Sequence, residues 1–429
     1  SINNITHFFQ EWYVPKDMAI SISGDVNHDE VISVVDEYFG GMADVAPPQQ
    51  KQWAEEPLNG REHVEVNYEA EPFVLLAFRT APNLDEDAEA LKLIDMILDN
   101  ATAGLINLNL NQAQLVRNAG AHPMVMNDYG VECLYGVPKD GQTLDEVEKL
   151  LLDQIAIVKR GEFEDWILPA IVNDFKKNEK AGLESNQARA GWLSGAFIAG
   201  ESWDHASKLI ERISKVTKDD IVRVANKYFS GGYVSGWRLD AKQDIPKVEK
   251  PPITKVDIDP TRESEFAKQL LAMPCTPIEP VFVDPSKDYT VERGKEGRTL
   301  YYVANPINDL FSLTISMDVG TQEDNTINIA AQLLDKSGTD RLSPEDLQKE
   351  WYKLGTNFGI GAGDNETSIT ISGLDENFDA SLGLLMEVLT KPTSDAATLD
   401  ELKKIILVQR ADAKKQAEKR AVEHFIIPR

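Results

Sequence analysis

Residues 61–78 read REHVEVNYEAEPFVLLAF, and residues 298–319 read RTLYYVANPINDLFSLTISMDV. Each stretch predicts two β-strands around a short polar turn. An acidic loop follows each one, NLDEDA after the first and GTQEDN after the second, and an apolar helix comes next, at 90–98 or 327–334. Because the same order occurs twice, the sequence predicts an internal duplication of one α+β unit.

The closing ends of the units also look alike. Residues 5–25 read ITHFFQEWYVPKDMAISISGD and residues 221–240 read IVRVANKYFSGGYVSGWRLD. Both predict an amphipathic helix and then a strand. The break between them is Pro15 in the first copy and Gly231-Gly232 in the second.

These signals give the expected domain organisation. Residues 1–45 are expected to be the C-terminal tail of a truncated first unit, and residues 60–240 a complete second unit. Residues 241–280, rich in Pro and charge, are expected to link two halves. Residues 281–429 are expected to be a truncated third unit that ends in a long amphipathic helix, 399–425. The chain is therefore expected to be a middle section of a larger protein.

Composition limits the class of protein. A length of 429 residues predicts two or three domains, and a hydrophobic fraction of 42% is enough for packed cores. The formal net charge of −27 argues against a nucleic-acid partner. It fits a solvated acidic surface or, alternatively, a preference for basic peptides or cations. No stretch approaches the roughly 20 apolar residues of a membrane span, and the first 18 residues show no signal-peptide pattern.

The two cysteines, Cys133 and Cys275, have no metal-like spacing. One disulfide between them is left open. Cys133 lies in the alternating stretch GVECLYGV, which favours a buried structural cysteine over a nucleophile. The acidic residues 85–87 could bind a cation, but the dipole of the helix that follows them is the favoured explanation.

The chemistry-bearing motifs are incomplete. HDEV at His28 and HVEV at His63 are half of a zinc motif without the closing histidine. The glycine-rich stretch 358–373 predicts a β-hairpin and not a phosphate loop. No histidine has a second His or a Cys three or four residues away; the six are His7, His28, His63, His122, His205 and His424. The sequence therefore assigns no catalytic, cofactor-binding or metal-ligating residue.

Residues 8–41, FFQEWYVPKDMAISISGDVNHDEVISVVDEYFGG, resemble the end of the first domain of the pitrilysin/insulinase-type (M16) zinc metallopeptidases. The shared features are an aromatic–Tyr–x–Pro segment, a strand closing on Gly-Asp, and a helix ending in Tyr-Phe-Gly. Residues 310–324, LFSLTISMDVGTQED, are similar to the opening strand and turn of that family. KSGTD at 336–340 matches the Gly-Thr after its zinc helix.

The resemblance implies a two-half clamp of four repeated α+β domains, each a mostly antiparallel mixed sheet packed against helices. It implies zinc in the parent protein, held by a His-x-x-Glu-His helix of the first domain and a later Glu, and none in this chain. The implied partners are a peptide substrate and the missing first and fourth domains, with no nucleic acid and no membrane span. An extracytoplasmic (periplasmic) location follows from relatives alone.

Helices at the place of the zinc helix occur as AEALKLIDMI, residues 88–97, and NIAAQLLDKSGT, residues 328–339, both without histidine. Ile329, Leu333 and Leu334 are expected to be packing positions, and Gly338 is expected to end its helix. The leading hypothesis is a non-catalytic fragment of a zinc metalloendopeptidase, inactive alone. The alternatives are a non-peptidase M16-like structural or assembly subunit, and an acidic module for basic peptides.

Overall fold

The computed structural model describes residues 1–51, 53–243, 246, 249, 254–255 and 257–414. The chain divides into two compact units. One comprises Ser1–Lys242 together with the chain from Ile307 onward, and the other is Gln243–Pro306.

The N-terminal part forms two helices, α1 (Ile2–Trp12) and α2 (His28–Phe39). The Asn27 side chain caps α2 by accepting hydrogen bonds from the backbone N–H groups of Asp29 and Glu30. Both helices agree with the sequence. The strand expected between them, at 19–25, is wrong: this stretch pairs with no other strand in the described chain, so it cannot form a ladder.

The second repeat contains a five-stranded sheet. Its neighbour order is β1-β5-β2-β4-β3, with β1 and β5 parallel and the other neighbours antiparallel. The first two strands agree with the sequence, but β5 inserts between them, so their connecting turn is not a hairpin. The strands are β1 (Arg61–Tyr68), β2 (Phe73–Thr80), β3 (Asn118–Val125), β4 (Gly130–Val137) and β5 (Tyr233–Asp240).

Helices cover this sheet and close its core. Val74, Leu76 and Phe78 alternate along β2 and are buried among apolar residues of the helices that follow. Burying each such side chain stabilises the fold by roughly 2 kcal/mol. The helices are α3 (Ala88–Leu98), α4 (Leu144–Arg160), α5 (Ile167–Gly182), α6 (Asn186–Ile198), α7 (Trp203–Ala206), α8 (Leu209–Ile213) and α9 (Lys218–Tyr228).

The smaller unit contains a helix, α10 (Glu265–Leu271), and two antiparallel strands, β6 (Thr290–Arg293) and β7 (Thr299–Tyr302). The strand predicted at the start of the third repeat is therefore present as β7. It pairs with β6, which the sequence pattern did not indicate.

The third repeat rebuilds part of the second. Its three-stranded antiparallel sheet has the order β10-β11-β8, which matches β3-β4-β2 strand for strand. The glycine-rich stretch is the predicted hairpin β10–β11. The elements are β8 (Leu310–Met317), α11 (Ile327–Asp335), β9 (Gly338–Thr339), α12 (Pro344–Lys353), β10 (Asn357–Ala362), β11 (Thr367–Leu374), α13 (Phe378–Thr390), β12 (Pro392–Thr393) and α14 (Ala396–Ala413).

Two expectations for this repeat need qualification. Helix α11 ends at Asp335, and Gly338 belongs to β9, where it pairs with Thr393. A Cβ at Gly338 would collide with the backbone carbonyl of Leu342, so a close backbone approach, not the helix end, requires glycine. The long terminal helix is present as α14, and its expected continuation to residue 425 lies outside the described residues.

The repeated units, each an antiparallel or mixed sheet packed against helices, confirm the predicted α+β fold class. Within the described ranges, every helix is too short or too polar to cross a lipid bilayer.

Candidate functional site

Helices α3 and α11 occupy the same place in the two repeats, directly after strands β2 and β8. Leu93, Ile94 and Ile97 of α3 are at most 1% exposed and belong to the main apolar core. In α11, Ala331 is buried and Leu334 packs against the core of the third repeat. Apolar packing therefore determines the inward residues of both helices.

Asp87, at the start of α3, is fully buried and forms a bridge to α9. Its oxygens lie 2.8 Å from Arg223 Nη1 and 2.6 Å from Lys227 Nζ, and Tyr228 Oη donates to it at 3.2 Å. Burial alone would raise the pKa of Asp87, but the two cations outweigh burial and lower it. These contacts, and not the helix dipole alone, account for this acidic residue, and Asp87 makes no side-chain capping bond to α3.

A second buried carboxylate, Glu148 of α4, ties the helix to the parallel pair β1–β5. It accepts hydrogen bonds from Arg61 at 2.7 and 2.9 Å, Ser235 at 2.7 Å, Trp237 Nε1 at 3.0 Å and Tyr233 Oη at 3.0 Å. Burial opposes ionisation, but these donors prevail and lower the pKa of Glu148 to about 2. The carboxylate is thus a fixed anion with a structural role.

A third acidic site joins Asp95 of α3 to Glu132 of β4. Burial raises the pKa of Asp95 to about 6, and burial together with the charge of Asp95 raises the pKa of Glu132 well above its usual range. Oδ1 of Asp95 and Oε1 of Glu132 find no hydrogen-bond donor in the described part of the chain. One proton shared by the two carboxyl groups would supply that donor. Glu132 is only 2% exposed, so the pair is closed to a substrate.

The histidines and cysteines are dispersed. His7, His28, His63 and His205 each lie beside a carboxylate. His122 is on the exposed half of β3, and His424 lies outside the described residues. Across those ranges, no three His, Cys, Asp or Glu side chains are grouped as a metal site would require.

Both cysteines are free thiols, so the structure does not contain the disulfide that was left open. Cys133 is buried, as its alternating sequence indicated, and burial raises the pKa of its thiol. A buried, protonated thiol is a poor nucleophile. Cys275 is exposed.

The larger unit also contains an apolar groove of about 880 Å³, here called the Trp192 groove. It is lined by side chains of α5 to α8, by Lys92 of α3 and by Val125 at the end of β3. β3 is an edge strand of the sheet, and its residues 122–125 are exposed. Sequence reasoning did not find this groove; the available signal was Lys92, the one cation inside the apolar stretch ALKLIDMIL.

Comparisons with known proteins agree with this fold. The family model described as "Peptidase M16 inactive domain" matches residues 1–175. A curated relative, the zinc protease PqqE of Helicobacter pylori, is 21% identical over 242 residues, which are 53% of this chain and 52% of that protein. This chain therefore matches about half the length of that relative.

Two solved structures are similar to this chain. The crystal structure of a protease from Helicobacter pylori has a TM-score of 0.52 at 20% identity, covering 56% of this chain and 59% of that one. The periplasmic protease PqqL from Escherichia coli has a TM-score of 0.44 at 14% identity, covering 98% of this chain and 50% of that one. The first of these supports the fold assignment.

Proposed function

We propose that this chain belongs to the M16 peptidase family and supplies non-catalytic domains of a zinc-dependent metalloendopeptidase. Residues 60–240 would be a complete inactive domain, and residues 281–429 part of the next one. Residues 1–45 would close a preceding domain, and residues 241–280 would link the two halves. The matched family model, which describes an inactive domain over residues 1–175, supports this assignment.

The observation that carries the proposal is the residue set of the two helices at the place of the zinc helix. Their inward positions hold aliphatic side chains, among them Leu93, Ile94 and Ile97 of α3. On α11 the residues facing the adjacent cavity include Ile329 and Gln332. Zinc requires imidazole, thiolate or carboxylate ligands. These residues do not fit the metal, so we assign zinc and the water-activating glutamate to a different domain of the parent protein.

Peptide cleavage in an enclosed chamber, with this chain forming part of the wall, is the activity we propose for that parent. The exposed edge strand β3 offers backbone groups to which an extended peptide could add. A periplasmic location is part of the proposal and is motivated by the family.

Two measurements test this function. We expect the purified 429-residue chain to contain less than stoichiometric zinc by elemental analysis and to leave a mixed peptide library uncut in a mass-spectrometric assay. The parent protein, with its flanking domains, should bind zinc and cut the same library. Stoichiometric zinc together with peptide cleavage by the isolated chain would contradict the proposal. A zinc-free, inactive parent would instead support the structural-subunit alternative.

A further inference from the structure

The Trp192 groove presents apolar surface that the described chain leaves uncovered. Trp192 is 37% exposed, Trp203 is 48% exposed and Leu183 is 42% exposed, and all three line the groove. Gly191 and Gly195 lie on the same wall, and a Cβ at either would meet no atom within 4 Å. The groove therefore has free space beside its aromatic side chains, which is the arrangement that accepts another apolar side chain.

Two charged side chains that line this groove, Lys92 and Glu179, have no charged partner among the described residues. Lys92 of α3 lines it and makes no hydrogen bond or ion pair with any described residue. Glu89 and Glu201, the two carboxylates whose charge acts on Lys92, are already engaged with other cations. Arg212 Nε lies 2.7 Å from Glu89, and Glu201 lies 2.6 Å from His205 and 3.6 Å from Arg212.

Lys92 is half-buried, so its charge costs free energy as long as no anion lies beside it. Burial lowers the pKa of its ammonium group, although Glu89 and Glu201 partly oppose this effect. A half-buried cation without a partner destabilises its surroundings, and a carboxylate brought by a ligand would remove that penalty. The groove thus combines apolar walls with one half-buried cation that has no partner among the described residues.

We propose that the Trp192 groove docks a segment of a partner protein in which one acidic side chain is flanked by large apolar side chains. The carboxylate pairs with Lys92, and the apolar side chains cover Trp192 and Trp203. An internal segment is favoured over a chain terminus because the lining comes from four successive helices, α5 to α8, which gives room for several residues. This inference does not depend on the peptidase assignment.

The test uses the full chain and peptides blocked at both ends. The probe is Ac-Ser-Leu-Phe-Glu-Leu-Ser-NH2, with matched peptides that replace Glu by Gln or by Lys, measured by isothermal titration calorimetry. We expect the Glu peptide to bind about tenfold more tightly than the Gln peptide, the usual scale for a charge-assisted contact. Lys92→Met should remove this preference, and Lys92→Glu should transfer it to the Lys peptide.

Two further variants keep the test independent of folding. Lys149, an exposed lysine of α4 outside the groove, provides the control Lys149→Met, which should bind like the wild type. At Gly195 a Cβ would meet no atom within 4 Å, so Gly195→Leu places an apolar side chain in the groove. It should weaken the binding of the Glu peptide at least about tenfold, while the circular dichroism spectrum is kept and the melting temperature does not fall.

Several outcomes would overturn the proposal. The proposal is wrong if the Glu, Gln and Lys peptides bind with equal affinity, or if none of them binds. It is also wrong if the Gly195→Leu variant binds the Glu peptide as tightly as the wild type does. Binding only when the peptide carries a free C-terminal carboxylate would show that a terminus is recognised instead. Sedimentation showing a dimer that Gly195→Leu dissociates would show that a second copy of the chain covers the groove.

Discussion

Removing one carboxylate from the buried pair of Asp95 and Glu132 should stabilise the protein, and by an amount that depends on pH. Oδ1 of Asp95 and Oε1 of Glu132 lack donors in the described chain, and the charge of Asp99 adds to the repulsion. Above the titration range, the folded protein must hold negative charge in a poorly solvated place. The variant Asp95→Asn keeps the shape of the side chain, supplies an N–H donor to Glu132 and removes one charge.

The sign and size follow from proton linkage. The pKa of Asp95 rises from 3.8 to about 6 on folding. Between these pH values the folded state therefore binds more protons than the unfolded state. The free energy of unfolding thus falls as pH increases from about 4 to about 6, and it stays lower above that range. The full shift corresponds to about 3 kcal/mol. This is the upper limit of the gain expected for Asp95→Asn at pH 7, and the gain should vanish near pH 4.

Urea unfolding followed by circular dichroism at pH 4, 5, 6, 7 and 8 measures this difference. A matched control is Asp153→Asn, because Asp153 is an exposed aspartate on α4 and its substitution should change the urea midpoint little at any pH. The reasoning is refuted if Asp95→Asn destabilises the protein at pH 7, or if its effect is the same at pH 4 and pH 8.

Two further predictions concern buried acids of the same repeat, and a third concerns the two cysteines. Asp87→Asn should lower the free energy of unfolding by about 1–3 kcal/mol at pH 7, which is less than for a fully buried ion pair because the two cations are half exposed. The loss should shrink as pH falls below about 4. Urea midpoints measure the difference, and Glu86→Gln, at an exposed neighbouring residue, is the control. Glu148→Gln should cost about 2–4 kcal/mol because a buried anion with several donors is lost, and an unchanged urea midpoint would contradict this. With a thiol reagent, Cys275 should react at once and Cys133 only after unfolding, and two fast thiols would refute the burial of Cys133.

Local patterns in the sequence predicted most elements, whereas strand pairing required long-range information. The hairpin β10–β11 was predictable because its two strands are adjacent in sequence and joined by a Gly-Asp-Asn turn. The parallel pairing of β1 with β5 was not predictable, because about 170 residues separate the two strands. The sequence pattern of each strand would also be the same if it paired with a different strand. The strand expected at 19–25 shows the same limit, since alternation alone supplies no partner.

The polar contacts of the buried acids were equally hidden from the sequence. Glu148 falls in an ordinary amphipathic helix, and its donors come from strands β1 and β5. Lys92 and Asp95 had a weak local signal, because each is a charge inside a stretch whose other residues are mainly apolar. Such a charge must have a partner, change its protonation or face a ligand, but the sequence does not say which.

Asp95 and Lys92 represent two of these outcomes on a single helix. Asp95 meets a second carboxyl group, and the raised pKa values of both groups allow them to share one proton, which reduces the charge of the pair from −2 to −1. Lys92 opens into the Trp192 groove, and Glu89 and Glu201, whose charges act on it, are already paired. The remainder of the inward face of α3 is aliphatic and at most 1% exposed at Leu93, Ile94 and Ile97. A helix that contributes such packing cannot also present two imidazoles and a carboxylate to a metal without losing several kcal/mol of burial. Helix α3 therefore combines aliphatic packing, a buried acidic pair and one cation that opens into the Trp192 groove.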